Sequence, residues 1–309
     1  MRTKISAPRV VVIGSSNTDL IVALSRIPGP GETLLGGDFY SAAGGKGANQ
    51  AVAAARAGGR VSFIGRIGQD TNGREALAGL RKERINVSGV VADPRLPSGV
   101  ALIFVSQKGE NSIAVASGSN LALSAADIAR SRDIVASASI VLLQLETALP
   151  TVMSAARLAR KSGARVILNP APARSLPDAL LRNVTLLTPN EHEASLLSGV
   201  PVTDEKTARK AARLLRQRGA QGVIITLGAA GAFVSVDRIE ERVPGYKVSV
   251  VDTTAAGDVF NGALAVALAQ GGDILSAVRF ANAAGALSTT KAGAQPSIPT
   301  KNAILRLLK

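Results

Sequence analysis

The stretch from Val251 to Gly262 holds the residues best suited to chemistry. Ala255, Ala256 and Gly257 stand directly before an aspartate, Asp258, and an alanine-rich apolar run continues to about Ala269. That run predicts a helix, whose first backbone N–H groups lack intrahelical partners and carry partial positive charge. Such a helix start can hold an anion, and side chains this small let an anion reach the backbone. Asp258 would stand beside it. A carboxylate is a poor anion ligand but a good proton acceptor for an attacking hydroxyl. A base beside a phosphate cradle is the minimum equipment for phosphoryl transfer to a small molecule.

Other polar groups could complete such a site. Asn17 and Asp19 flank Thr18 after the first apolar run, and residues two apart point the same way in an extended segment. One donates and accepts, the other accepts only, which suits neighbouring sugar hydroxyls or an Asx turn equally well. Glu146 ends another apolar run, where it could meet a hydroxyl or a helix start. Gly44-Gly45-Lys46-Gly47-Ala48-Asn49-Gln50 precedes a helical pattern over Ala51–Ala57. It is no P-loop, because Gly47 occupies the place of the Ser or Thr that follows the lysine, and its glycine spacing is wrong for a dinucleotide fingerprint. Asn190-Glu191-His192-Glu193 opens a helix with a capping-box spacing, which is also compatible with magnesium and phosphate organised by Asn190 and Glu193. His192, the only histidine, reads as exposed. Thr226-Leu227-Gly228-Ala229-Ala230-Gly231 is a turn along which a nucleotide could lie.

These groups need a scaffold. Apolar strand-like runs occur at Val10–Ile13, Val61–Ile64, Ile140–Leu145, Arg165–Leu168, Thr185–Leu187 and Gly222–Thr226. Helical patterns at Thr151–Lys161, Ala179–Leu181, Glu191–Leu197 and Thr207–Arg218 alternate with the later ones. The alternation predicts an α/β fold, a central mostly parallel sheet flanked by helices. Ligands bind such sheets beyond the carboxyl ends of the strands. Asn17, Asp19, Glu146, Asn169, Asn190 and Gly228 all follow strand runs, so they should collect along that edge. Two segments, about 20–43 and 97–118, break the rhythm with alternating apolar residues and a turn-like Lys108-Gly109-Glu110-Asn111. They predict a small β-sheet lid on a single domain spanning 1–309. The lid's apolar residues call for burial, and a homodimer is expected through them.

Composition narrows the classes. Hydrophobic residues make up 46% of the 309, ample for a core, while aromatics are only 3%. Stacking platforms for single-stranded nucleic acid therefore have little material. There is no Cys, which excludes disulfides and thiolate chemistry. The net charge of +14 is scattered, and its densest clusters, Arg81–Arg84 and Arg209–Arg218, read as exposed helix faces rather than a nucleic-acid surface. The N-terminus is basic, but Val10–Ile13 is too short for a signal peptide, and no stretch approaches a membrane span. A cytoplasmic protein without membrane or nucleic-acid partners is the expectation.

Taken in order and spacing, these segments resemble the ribokinase family of carbohydrate kinases from about Val10 to Pro299. The likeness is carried by Gly14-Ser15-Ser16-Asn17-Thr18-Asp19, Pro30-Gly31-Glu32-Thr33, Gly44–Gln50, Gly99–Val105, Gln144-Leu145-Glu146 and Asn169–Ala173. It continues through Thr188–Glu191, Thr226-Leu227-Gly228, Asp252–Gly262 and Gly293–Ser297. The resemblance implies ATP-dependent phosphorylation of D-ribose at its 5-hydroxyl, with a kinase for deoxyribose, another sugar or a nucleoside as the alternative. By the same likeness Asn17, Asp19, Gly45, Lys46, Asn49 and Glu146 would hold the sugar. Asp258 would be the base, and the backbone of Ala255, Ala256 and Gly257 the anion hole. Asn190, Thr226, Leu227, Gly228, Ala229, Ala230, Gly231, Gly257 and Asn282 would face ATP, and Glu193 would support Mg2+. Asp252, Thr254, Ser288, Lys291, Gly293 and Ser297 match positions around a monovalent cation such as K+, partly through backbone carbonyls. Asn282 stands where some members carry His, and Ala229-Ala230 replace bulkier or polar residues.

Overall fold

A computed structural model describes residues 9–107 and 110–309. The basic N-terminal stretch and two residues of the turn-like segment, Lys108 and Gly109, lie outside the described residues. The strands are β1 (Arg9–Ile13), β2 (Asn17–Leu24), β3 (Asp38–Gly44), β4 (Arg60–Gly68), β5 (Asn86–Asp93), β6 (Gly99–Ser106) and β7 (Asn111–Ala116). They continue with β8 (Ile140–Leu143), β9 (Arg165–Leu168), β10 (Leu186–Leu187), β11 (Gly222–Thr226), β12 (Ala232–Val236) and β13 (Ile239–Val243). The helices are α1 (Lys46–Arg56), α2 (Thr71–Lys82), α3 (Ala125–Arg130), α4 (Arg132–Ala136), α5 (Leu149–Lys161) and α6 (Asp178–Leu181). After them come α7 (Glu191–Ser198), α8 (Glu205–Gln217), α9 (Ala256–Ala269), α10 (Ile274–Ser288) and α11 (Lys301–Leu307).

Nine strands form one large sheet in the order β13-β12-β11-β10-β9-β8-β1-β4-β5. The seven from β11 to β5 run parallel, and β12 and β13 add an antiparallel edge. Strands buried on both faces need unbroken apolar runs, and β8, Ile-Val-Leu-Leu, is wholly buried. Alternate residues of β1 therefore feed two cores. Val10 and Val12 join the face covered by α1, α9 and α10, while Val11 and Ile13 join the face covered by α5 and α8. The predicted α/β sheet with helices on both sides is what the chain builds.

α1 and α9 cross unusually close. A Cβ on Gly262 would lie 2.6 Å from the Cβ of Ala53 and 2.7 Å from the carbonyl oxygen of Gln50. Only glycine lets the two backbones meet there. α1 begins at Lys46, five residues earlier than its apolar pattern predicts, so Asn49 and Gln50 fall in its first turn.

A second, four-stranded sheet has the order β3-β2-β6-β7 and is formed by the two irregular segments. Its β2 starts at Asn17 and pairs Asp19 with Ala42 and Ala101. The sheet is tied to the larger unit at the entry of β6, where the Asp70 carboxylate accepts from the Ser98 N–H at 2.7 Å and its hydroxyl at 2.6 Å, while also capping α2. The arginine-rich faces are solvated as expected. Arg209 and Arg213 both pair with Glu240, and Arg218 with Asp178. Such surface pairs contribute little stability individually. Among the described residues no helix is long and apolar enough to cross a membrane.

Candidate active site

The carboxyl ends of β1 and β8, the start of β2 and the first turns of α1 and α9 converge on Asp258. It is 5% exposed and accepts hydrogen bonds from Gln50 Nε2 at 2.9 Å on Oδ1 and from Asn49 Nδ2 at 3.2 Å on Oδ2. Burial pushes its carboxyl above the ordinary range; Lys46, Gln50 and Asn49 oppose that rise, and Glu146 adds to it. The α9 start beside it has Ala255 in a left-handed conformation, φ 61°. A non-glycine residue there carries local strain. The Ala256 N–H donates to the Thr253 carbonyl at 3.2 Å, so of the three predicted anion-hole residues it is Ala255 and Gly257 whose N–H groups are left to serve an anion.

The predicted sugar residues gather on one side. Gly45 has φ 86°, and a Cβ there would lie 2.7 Å from the Asn17 N–H nitrogen, so glycine is needed for the turn to pass this close. Glu146 Oε2 accepts from Ser15 Oγ at 2.5 Å and from the Lys46 N–H at 3.0 Å. Asn17 Oδ1 accepts from Asn120 Nδ2 at 2.7 Å, which leaves the Asn17 amide N–H groups for a ligand. Asn49 Oδ1 is buried with no hydrogen-bond partner among the described residues. A hydroxyl of a bound polyol would satisfy it. Asp19, 9% exposed, has its carboxyl raised to about 6 by burial, then by Glu146 and Asp258. Lys46 is held more basic than usual, chiefly by Asp258 and further by Glu146 and Glu193. It is therefore a cation set among three carboxylates.

A cavity of about 940 Å³ opens against the α9 start, with Ala256 and Gly257 in its wall. Its wall includes Asn190, Thr226, Gly228, Ala229, Gly231, Gly257 and Asn282, all predicted to face a nucleotide. Leu227 is not on that wall, because its side chain packs against the core below, and Ala230 also lies off it. Asn282 donates to the carbonyls of Val243 and Pro244 at 3.2 and 3.1 Å. Sequence reasoning missed Tyr246, Val248 and Val250, whose segment has no regular structure, and Phe260 on the second turn of α9. His192 is exposed, as expected, but reaches the cavity wall.

Asn190 and Glu193 make a complete capping box: the Asn190 side chain accepts from the Glu193 N–H at 2.8 Å, and Glu193 accepts from the Asn190 N–H at 2.9 Å. Burial raises the Glu193 carboxyl, against that hydrogen bond and Lys46. Among the described residues no cluster of three or more acidic or histidine side chains could cage a metal. That donor set fits a magnesium ion carried by substrate phosphates, which needs few protein ligands. Asp252 joins the loop before α9 to the segment after α10. It accepts from the Thr254 N–H and hydroxyl at 2.8 and 2.6 Å and from the Gly293 N–H at 2.8 Å. Burial raises its carboxyl, but these bonds outweigh it and hold the group below its usual range. Ser288 and Ser297 donate their hydroxyls to the Gly285 and Ala294 carbonyls at 2.7 and 2.8 Å, leaving oxygen lone pairs. Lys291 could offer a cation only its backbone carbonyl.

Residues 7–301 match the pfkB family carbohydrate kinase model. The chain belongs to this family. It is 44% identical over 300 residues to the ribokinase of Haemophilus influenzae, covering 97% of this chain and 98% of that protein. It is 39% identical over 292 residues to the deoxyribokinase of Salmonella typhi, covering 94% and 95%. The structure of Arabidopsis thaliana ribokinase complexed with ribose and ATP matches with a TM-score of 0.91 at 33% identity, covering 99% of both chains.

The raised Asp19 carboxyl has a consequence for stability. Between about pH 4 and 6 the folded protein binds a proton that the unfolded chain has released, so this group's contribution falls as pH rises through that window. Above pH 6 the ionised carboxylate is a fixed burden on the ligand-free fold. Asp19→Asn should therefore raise the melting temperature by a few degrees at pH 8, with little gain at pH 4, while weakening sugar binding at least tenfold. Melting curves at both pH values and a sugar titration check this; an unchanged melting point at pH 8 would count against it.

Proposed function

We propose that the chain phosphorylates D-ribose at its 5-hydroxyl using ATP, as one kinase domain whose small sheet closes over the sugar. The observation that carries this reading is a buried carboxylate, Asp258, set between a polyol-sized cluster of Asn17, Asp19, Asn49 and Glu146 and a nucleotide-sized cavity. The cluster offers both donors and acceptors to adjacent hydroxyls. The cavity is walled in part by Ala256 and Gly257 of the same helix start, so a phosphoryl group held there would lie beside a hydroxyl held at Asp258.

The chemistry follows from those groups. Asp258 takes the proton of the sugar hydroxyl as the oxygen attacks the terminal phosphorus of ATP, the new O–P bond forms, and ADP leaves with the old bridging oxygen. The Ala255 and Gly257 N–H groups would face the charge that grows on the equatorial oxygens. Lys46, set among carboxylates of both pockets, would neutralise part of it. Bound with ATP, magnesium would supply charge neutralisation on the phosphates, with Glu193 orienting its water ligands. Water excluded by the small sheet cannot compete with the sugar. Use of ATP as donor supports the expected cytoplasmic location.

Asp258→Asn should lower turnover by at least a thousandfold while sugar and ATP still bind within a fewfold, because the charge serves proton removal rather than ground-state binding. An ADP-release assay across ribose, 2-deoxyribose, other sugars and nucleosides, with calorimetry on the variant, tests both parts. Ribose should lead the panel. Preference for deoxyribose, the activity named for the Salmonella relative, would move the assignment to that sugar; a tenth of wild-type turnover in Asp258→Asn would remove the base.

The small sheet exposes Phe39, Leu102 and Phe104 on one face and Tyr40, Ile113 and Val115 on the other. The Phe39, Leu102 and Phe104 face lies opposite the one that carries Asp19, and an exposed apolar face of this kind favours association with a second copy. We expect a homodimer through it, so light scattering at micromolar concentration should give twice the chain mass, and Phe104→Glu should shift it toward the monomer. A monomeric wild type would end this reading.

Asp252 fastens the loop leading into α9 to the Gly293–Ser297 segment, and carbonyl oxygens lie along both. Large monovalent ions accept many such oxygens at modest cost. A bound K+ would stiffen the loop that presents the anion-hole N–H groups, so its effect belongs mainly in kcat. Rates in potassium and caesium should exceed those in sodium at equal ionic strength; identical rates in all three would take the ion out of the mechanism.

A further inference from the structure

Asp258 is held by an amide relay that none of its expected roles requires. Gln50 is wholly buried, and its Nε2 donates both hydrogens, to Asp258 Oδ1 at 2.9 Å and to Asn169 Oδ1 at 3.1 Å. Its Oε1 accepts from Gln144 Nε2 at 2.5 Å. Gln144 and Asn169 are buried too, and Asn169 Nδ2 donates to the Thr188 carbonyl at 3.2 Å. An isolated glutamine could present either end of its amide to a carboxylate. Here the Asp258 carboxylate and the Asn169 oxygen, whose own amide N–H is spent on Thr188, fix the orientation, because a flip would set the Gln50 oxygen against both of these acceptors.

We propose that Gln50 is a positioning residue for Asp258: the Gln144–Gln50 relay pins Oδ1 and leaves the more loosely held Oδ2 as the proton-accepting oxygen. The proposal rests on the reading of Asp258 as the base. Asn49 reaches Oδ2 at 3.2 Å and shares that oxygen with the sugar side, so it cannot replace Gln50. A hydrogen bond donated to the charged form of an acid favours that form. Other charges facing Asp258 are Lys46 on α1, Glu146 after β8, Glu193 on α7 and Asp19 on β2. They are the same with or without the Gln50 amide, so the relay is the one element its removal changes.

The test uses Gln50→Met, which keeps length and removes the donor, and Gln144→Met, which touches neither substrate nor base but frees the Gln50 amide. Single-turnover phosphorylation of ribose at saturating ATP is measured from pH 5 to 9, beside thermal melting. In Gln50→Met the acid limb should move up by about one pH unit, so that the loss approaches about tenfold on the limb and recovers to within about threefold on the alkaline plateau. Gln144→Met should shift the limb the same way by less. Sugar and ATP affinities should stay within about threefold. A loss equal at every pH, or an unmoved limb, would make Gln50 a packing residue and overturn the proposal. Should Gln50→Met fail to fold, the limb of Gln144→Met decides. Asp258→Asn is run alongside: if it keeps turnover the base assignment falls, whereas an inactive Asp258→Asn with an unmoved limb removes only the role of Gln50.

Discussion

The site depends on how closely α1 and α9 cross at Gly262. Both helices begin at the carboxyl edge of the sheet, and each carries its chemistry in its first turn. Asn49 and Gln50 can reach Asp258 only because the Gly262 backbone lies against Gln50 and Ala53. A methyl at that position would push the helices apart by more than the slack in a hydrogen bond near 3 Å. The alanine runs in both helices serve the same end. They contribute modest apolar area each, but they let three helices, α1, α9 and α10, pack at short range beneath the site. Core packing and catalytic geometry are here one constraint.

Around that crossing the fold keeps like charges together. Glu146, Asp258 and Glu193 interact with Lys46, Asp19 faces Glu146 and Asp258, and Asp19, Asp258 and Glu193 are held above their ordinary carboxyl range. Unliganded, this arrangement is unfavourable, since desolvated carboxylates without enough donors cost stability. Polyol hydroxyls are the donors it lacks, and the unpartnered Asn49 Oδ1 points to the same need. In the proposed reading, sugar binding would relieve part of this burden on the free protein. The strain at Ala255 belongs to the same pattern: a left-handed alanine is tolerated where the loop must turn its N–H groups toward an anion.

Much of this was legible in the sequence, for identifiable reasons. A parallel sheet sends every residue that follows a strand to one edge, so Asn17, Asp19, Glu146, Asn190 and Gly228 could be placed together without coordinates. The capping-box spacing at Asn190 and Glu193 and the glycine turn at Gly44–Gly47 have local signatures. The helix pattern over Ala51–Ala57 hid the true start at Lys46, because Asn49 and Gln50 are polar yet buried and break the apolar period. Gln144, Asn169 and Asn120 were missed as partners since a buried amide looks like any surface amide until its neighbours are known. The wall from Tyr246 to Val250 has no period to read. The β12–β13 edge was also overlooked, its turn resting on Asp237 at φ 51° rather than on a glycine.

The two pockets share a single wall, the first turn of α9, and this explains why the small sheet attaches where it does. The nucleotide cavity is bordered by irregular backbone from β11, the loop before α9 and α10, elements fixed to the large sheet. The sugar side has only β1, β8 and α1 beneath it, and needs a cover. β2 supplies it by leaving the large sheet directly after β1, so that Asn17 and Asp19 belong to the small sheet while Ser15, two residues earlier, still binds Glu146. Asn120 closes the loop from the far end of the same sheet, gripping the Ser16 N–H and carbonyl and the Asn17 amide. Any movement of the sheet would therefore pass through two short connections to Asn17 and Asp19, the groups proposed to meet the sugar. The nucleotide wall does not have to move with it, so a sugar can be enclosed without disturbing the anion-binding start of α9.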